Sequence, residues 1–180
     1  MNTLVPQNNA LYAEPLVDQV IALLQLYLPQ ALPMAGLDPV KDLPFEFHKG
    51  TTEITQPVWV EVTVGPLEFP DSSPQTVQYT APIIVKIFVI DPNPDQGMHR
   101  INQYLVALDR VLSTIEPSDL LASQSIVLPP GTPARPTTPP APGTVSEVHR
   151  ASHRRGQGPP SEAGPRWAGE IQLDVFMEET

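Results

Sequence analysis

The run Ile83-Ile84-Val85-Lys86-Ile87-Phe88-Val89-Ile90 constrains the fold of this chain more than any other stretch. It is built from β-branched and aromatic residues interrupted only by Lys86, and such runs suit a pleated surface covered on both faces. The polar break Asp91-Pro92-Asn93-Pro94-Asp95-Gln96-Gly97 comes next, where two prolines stop a ladder and Asp95 is placed to cap a helix. Beyond it Ile101, Tyr104, Leu105, Leu108, Val111, Leu112 and Ile115 recur at three- and four-residue steps, while Arg100, Asn102, Asp109 and Arg110 lie elsewhere. Strand and helix therefore require a common interior, in which Val85, Ile87 and Val89 meet Leu105, Leu108 and Leu112.

The flanking segments supply further elements. Leu16 to Leu28 reads as a first helix, entered at Pro15 and closed by Pro29. Its apolar face is wide enough to serve the core and also to meet another subunit. Pro29, Pro33, Pro39 and Pro44 keep the next stretch irregular until Phe45-Glu46-Phe47, where a short strand fits. Val58 to Val64 alternates valines with Trp59, Glu61 and Thr63, as a strand does, and Gly65-Pro66 ends it. Thr76 to Ile90 forms one long or two short strands, with Pro82 marking an edge, bulge or bend. Glu116-Pro117-Ser118-Asp119 stops the second helix, and Leu120 to Leu128 follows as a short segment, helical or extended. In the closing segment Ile171, Leu173, Val175 and Met177 point one way, and Glu170, Gln172, Asp174 and Glu178 the other, predicting a half-buried antiparallel strand with an acidic solvent face.

Proline is unevenly spread. Ten of the 24 prolines and five of the 10 glycines fall between Pro129 and Arg166, a segment with almost no apolar side chain larger than valine. Such a segment buries too little to offset the entropy of ordering. The expected organisation is a single α+β domain over 1-128 and 167-180, mainly an antiparallel sheet with two helices packed on one face. The 129-166 segment is expected to be an extended Pro/Gly/Arg-rich loop or arm inserted before the last strand. The arm holds five arginines against two glutamates, a net +3, whereas the remainder stands at -13. Arg135, Arg150, His153, Arg154 and Arg155 are thus candidates for an interface with an acidic neighbour. Glu170, Gln172 and Asp174 are candidates for an exposed acidic face.

Charge and composition also exclude functions. A net charge of -10 opposes general nucleic-acid binding, which needs a basic surface. The absence of cysteine removes disulfides, thiolate metal sites and cysteine nucleophiles. Met1 to Ala10 lacks the pattern of a signal peptide, and Leu16 to Leu28 is too short to span a bilayer, so a soluble protein without a membrane partner is expected.

Signatures of phosphate-binding loops, dinucleotide folds, nucleophile elbows and zinc proteases are missing. Asp91, Asn93 and Asp95 space oxygens as a calcium loop does, but Gln96 stands where the turn glycine belongs and Asn102 where the bidentate glutamate belongs. His149 and His153 lie four apart among Arg150, Arg154 and Arg155, whose charge disfavours a bound cation. The sequence thus predicts no catalytic residues, no metal, no cofactor and no enzymatic activity.

In the order of its elements the chain resembles the tail terminator, or tail-completion, proteins of long-tailed bacteriophages. The likeness is carried by Leu16 to Leu28, by Pro82 to Ile90 leading through Asp91-Pro92 into Ile101 to Ile115, and by Gly169 to Met177. It implies a structural virion protein of the tail or neck, assembled in the host cytoplasm. The implied assembly is a homohexameric ring that caps the tail tube, contacts the tail tube protein and the neck connector, and lets DNA pass without specific binding, with Glu170, Gln172 and Asp174 facing its lumen. Another neck ring, such as a head-completion or stopper protein, is the near alternative. A non-viral adaptor using Pro133 to Pro136 as a proline-rich ligand is the distant one.

Overall fold

The computed structural model describes residues 9-44, 46-50, 57-68, 77-121, 143-157 and 165-179. Helix α1 (Asn9–Ala31) continues into a 3-10 turn (Leu32–Ala35), followed by strands β1 (Glu46–Lys49), β2 (Val58–Val64) and β3 (Val77–Ile90). Helices α2 (Pro94–Leu112) and α3 (Pro117–Leu121) come next, then strands β4 (Gly143–Gln157) and β5 (Arg166–Glu179). The strands form one sheet in the order β1-β2-β3-β5-β4, antiparallel throughout except for the parallel pair β1-β2. The α+β class and the mainly antiparallel sheet are as the sequence predicts.

Why β3 lies at the centre is explained by its composition. Its odd-numbered residues from Tyr79 to Val89 are all buried in the main core, together with Leu105, Leu108 and Leu112 of α2 and Leu16, Val20, Leu24 and Leu28 of α1. Both helices therefore cover the same face. Of the two readings the sequence left open, the single long strand is the one formed, and Pro82 sits where β3 has run past the end of β2, an edge position whose reason is directional. The backbone groups of even-numbered β3 residues point toward β2, as the bonds from Ile90 N–H to the Pro57 carbonyl (2.8 Å) and from Gly65 N–H to the Pro82 carbonyl (2.7 Å) show. The β2 ladder ends at the Val64–Ile83 pair, so the missing proline donor falls just where no strand partner needs it. The β5 ladder runs past unbroken.

Helix α2 begins at Pro94, with Asn93 as its cap: the Asn93 side-chain oxygen accepts from the N–H groups of Asp95 (3.0 Å) and Gln96 (3.3 Å). This corrects the assignment to Asp95, which lies inside the helix and instead places its charge favourably within the first turn. Gly97 belongs to the helix as well. Helix α1 runs beyond both Pro15 and Pro29, because its buried apolar row favours the helix more than two prolines oppose it. Pro117 opens α3, so the short helix starts within the expected stop, three residues before Leu120.

The largest departure lies within 129-166. Residues 143-157 form β4 and pair with β5 over its whole length, so this part is an edge strand and not a loop. A strand beside a fourteen-residue template needs no core of its own, since β5 satisfies its backbone. Two bulges, between Val145 and Glu147 and between Arg150 and Ser152, hid the alternation. With the first bulge counted, Val145 and Val148 return to one face and pack on the core. The remainder of the expected arm, 129-142 and 158-164, lies outside the described residues.

A polar clasp fastens the segment after the 3-10 turn to α2. Arg100 donates to Asp42 Oδ1 at 2.7 Å, and the Tyr104 hydroxyl donates to the Asp42 carbonyl at 2.6 Å. Gln103 donates to the carbonyls of Ala35 (3.0 Å) and Gly36 (3.3 Å). Burial pulls the Arg100 guanidinium down, but attraction from Tyr104 and Asp42 outweighs it and leaves the group raised. Burial pushes the Tyr104 phenol up to about 12 from an ordinary 10.0, with Arg100 opposing and Asp42 assisting. A raised phenol favours the folded state in its neutral form, so its contribution is complete below pH 10.0 and is lost as pH climbs toward about 12. Urea unfolding across this window should show a steeper loss of stability in the native chain than in Tyr104→Phe. Parallel losses in the two proteins would contradict the clasp.

Candidate assembly surface

The second face of the sheet has no helix over it among the described residues. Its side chains come from the even-numbered positions of β3 and their register partners, which form rows across the sheet. One row holds Trp59, Phe88 and Ala168. Trp59 and Phe88 stack with ring centroids 4.8 Å apart, the Arg166 guanidinium lies 5.2 Å over the Trp59 ring, and Ile90 completes a small second cluster. Trp59 Nε1 donates to Glu61 Oε1 at 3.2 Å, which gives the buried indole its partner.

The neighbouring row is polar from edge to edge and charged from β2 to β4. Register places His48, Glu61, Lys86, Glu170 and Arg154 side by side on β1, β2, β3, β5 and β4. Signs alternate along it from Glu61 through Lys86 and Glu170 to Arg154, and Lys86 Nζ lies 3.8 Å from Glu170 Oε2. Lys86, the single charge in the β3 run, is therefore the centre of a cross-strand ladder. No sequence-local signal reveals this row, because each member sits on a different strand.

Glu170, Gln172 and Asp174 all lie on this face, half-buried, with Gln172 donating to Asp174 Oδ1 at 2.8 Å. The acidic face expected for the last strand is thus the face turned away from the helices. Counting by register, Glu46, Glu61, Glu147, Glu170 and Asp174 outnumber Lys86, Arg154 and Arg166 there.

The predicted basic cluster is divided by the sheet. Arg150 and Arg155 stand on the helix side of β4, where Arg150 donates to Asp109 and Arg155 to Asn102 of α2. Arg154 stands on the opposite side across from Glu170, and its side chain is exposed. Register pairs His153 with Ile171 of β5. Arg135 lies outside the described residues. Two of the arginines expected to meet a neighbour are thus engaged within the chain, because β4 passes beside α2 and its bulges bring them round.

His149 and His153 do not share a row, since His149 pairs with Asp174 and His153 with Ile171. His149 Nε2 lies 3.1 Å from Glu147 Oε2 and its ring meets Phe176 edge-on at 5.2 Å. Asp91 accepts from Asn93 N–H at 2.9 Å and faces Arg100 Nη1 at 3.6 Å, so the calcium-like spacing is used as a capping turn. Among the described residues, no group of three or more His, Cys, Asp or Glu is gathered as for a metal ion, and no helix is long and apolar enough to cross a membrane.

The fold and this surface define a two-layer α+β domain with one sheet face under helices and the other bearing charge. No protein-family model matches the chain, and no curated protein matches it. Among solved structures it is similar to a chain from the virion of a native gene transfer agent particle, at 10% identity and a TM-score of 0.42, over 86% of this chain and 94% of that one.

Proposed function

We propose that the chain is a structural virion protein, a tail terminator whose copies close into a ring on the end of the tail tube and join it to the head connector. The observation that carries this reading is the sheet face that bears no helix among the described residues, where Glu170, Gln172 and Asp174 form an acidic strip beside a ladder of paired charges. Facing a lumen, such a strip repels phosphates and lets DNA pass without sticking. The tail tube protein and the connector are the partners in this reading, and the virion neck is the location. It has no catalytic step.

The test is direct. Size exclusion with light scattering should show a discrete ring or a concentration-dependent oligomer, and electron microscopy should show that ring capping purified tail tubes. A chain that stays monomeric and leaves tube ends bare would sink the proposal. Reconstruction of the particle distinguishes a terminator from another neck ring by the position of its density.

A further inference from the structure

We propose that copies of this chain join head to tail through a knob and a groove on opposite sides of α2, with Val40 of one copy seated in the groove of the next. The inference rests on the ring reading above and specifies its contact.

The knob is the turn from Asp38 to Asp42. Asp42 N–H donates to the Asp38 carbonyl at 2.9 Å, and Asp38 N–H donates to Asp42 Oδ2 at 2.8 Å. Asp38 Oδ1 accepts from Val40 N–H at 2.8 Å and Lys41 N–H at 3.0 Å. These backbone donors, Lys41 first and then Val40, hold the Asp38 carboxyl below the usual range. Arg100 and Tyr104 grip Asp42 from behind. At the tip of this turn Val40 is 85% exposed, more than any other large apolar side chain described. The free chain gains nothing from displaying a valine in this way. A turn already ordered before it meets a partner loses little entropy on binding.

The groove runs between α2 and the sheet edge formed by β5 and β4. Val106 is its open apolar wall over a floor of the buried Leu105 and Ile171, Asn102, Asp109 and Arg155 form its rim, and its volume is about 290 Å³. Val106 is 55% exposed there. Arg155 bonded to Asn102 keeps the rim in place.

Three observations select a second copy as the occupant. An apolar knob and an apolar groove large enough for a branched side chain occur on one chain. Charge favours one orientation, because Asp38 beside Val40 then meets Arg155 at the rim, whereas reversal sets Lys41 against that arginine; Asp109 is already held by Arg150. At 3.6 residues per turn, the Arg100, Gln103 and Tyr104 side of α2 that holds the knob lies roughly opposite the Asn102, Val106 and Asp109 side that fronts the groove. A contact between unlike patches on opposite sides repeats in one direction and gives a ring when the rotation closes.

The absence of cysteine from the sequence makes the test clean. Val40→Cys and Val106→Cys, mixed and mildly oxidised, should give a covalent dimer that neither yields alone, since a disulfide demands Cα atoms within about 7 Å. The double variant should give a ladder of multimers. Val40→Asp should keep the circular dichroism of the native chain while weakening association about tenfold or more. Light scattering that shows an oligomer, with no mixed cross-link or with Val40→Cys joining to itself, would overturn this contact and leave the ring reading standing. Unchanged association of Val40→Asp would do the same. A chain monomeric at every concentration would overturn both.

Discussion

Leu108→Ala should destabilise the domain by about 2 to 5 kcal/mol in equilibrium unfolding, among the largest single effects available. Leu108 has no exposed surface and lies in the interior that α2 shares with Val85, Ile87 and Val89. The core around it is built mostly from helices and strands, so the space left by three carbon atoms does not close readily. The loss combines transfer free energy with the residual cavity, which places it well above a surface substitution. A change below about 0.5 kcal/mol would mean that α2 presents a different face to the sheet.

Gly97→Ala should also be strongly destabilising, although alanine ordinarily favours a helix by about 1 kcal/mol over glycine. An added Cβ at Gly97 would lie 2.1 Å from Trp167 Nε1 and 2.3 Å from its Cδ1. The same arrangement appears in reverse at Gly169 of β5, where a Cβ would lie 2.7 Å from Leu105 Cδ2 of α2. Helix and strand each place a bulky side chain over a glycine of the other, and this allows the close approach of their backbones. Relief requires Trp167 to turn out of its site or the first turn of α2 to lift. Overpacking of this kind costs about 1 to 3 kcal/mol, so against the helix-propensity gain of about 1 kcal/mol the net loss reaches about 2 kcal/mol. The double variant Gly97→Ala with Trp167→Leu should be more stable than the sum of the single changes allows, because the clash vanishes with the ring. Additive losses in a denaturant double-mutant cycle would show that the ring and the glycine do not bear on each other.

The parts of the fold legible in the sequence are those whose period is unbroken. β2, the odd-numbered face of β3, and β5 alternate cleanly over seven residues or more, and α2 carries an uninterrupted apolar row, so their existence and inward faces could be read directly. β4 could not, since each bulge inserts one residue and reverses the parity of the residues beyond it. Its composition pointed further astray, because proline and glycine on either side suggested a segment without structure. The fates of the arginines were hidden for another reason. Arg150 and Arg155 reach partners 41 and 53 residues away in sequence, and only the edge position of β4 brings them to α2. The cap of α2 lies two residues before the position the sequence suggested, within a turn where Asp91, Asn93 and Asp95 offer similar oxygens. Of the candidate surface, the acidic side of the last strand was legible from alternation alone. The charged row was not, because it runs across the chain and never along it.

That row decides a question on which the apolar residues are silent. Alternation determines which side of a strand faces inward, but sliding a strand by two residues keeps every inward side chain inward. Valines and isoleucines along β2, β3 and β5 differ little in shape, so burial alone distinguishes such in-phase slips poorly. A slip of two residues between β3 and β5 sets Lys86 against Gln172 or Ala168 in place of Glu170, and a slip of β4 takes Arg154 from the same carboxylate. One ladder of unlike neighbours thus acts as a key for alignment, contributing little to total stability while separating the native pairing from its nearest counterfeits. Because that discrimination is electrostatic and partly exposed, strong salt should erode the accuracy of refolding more than it erodes the stability of the finished sheet.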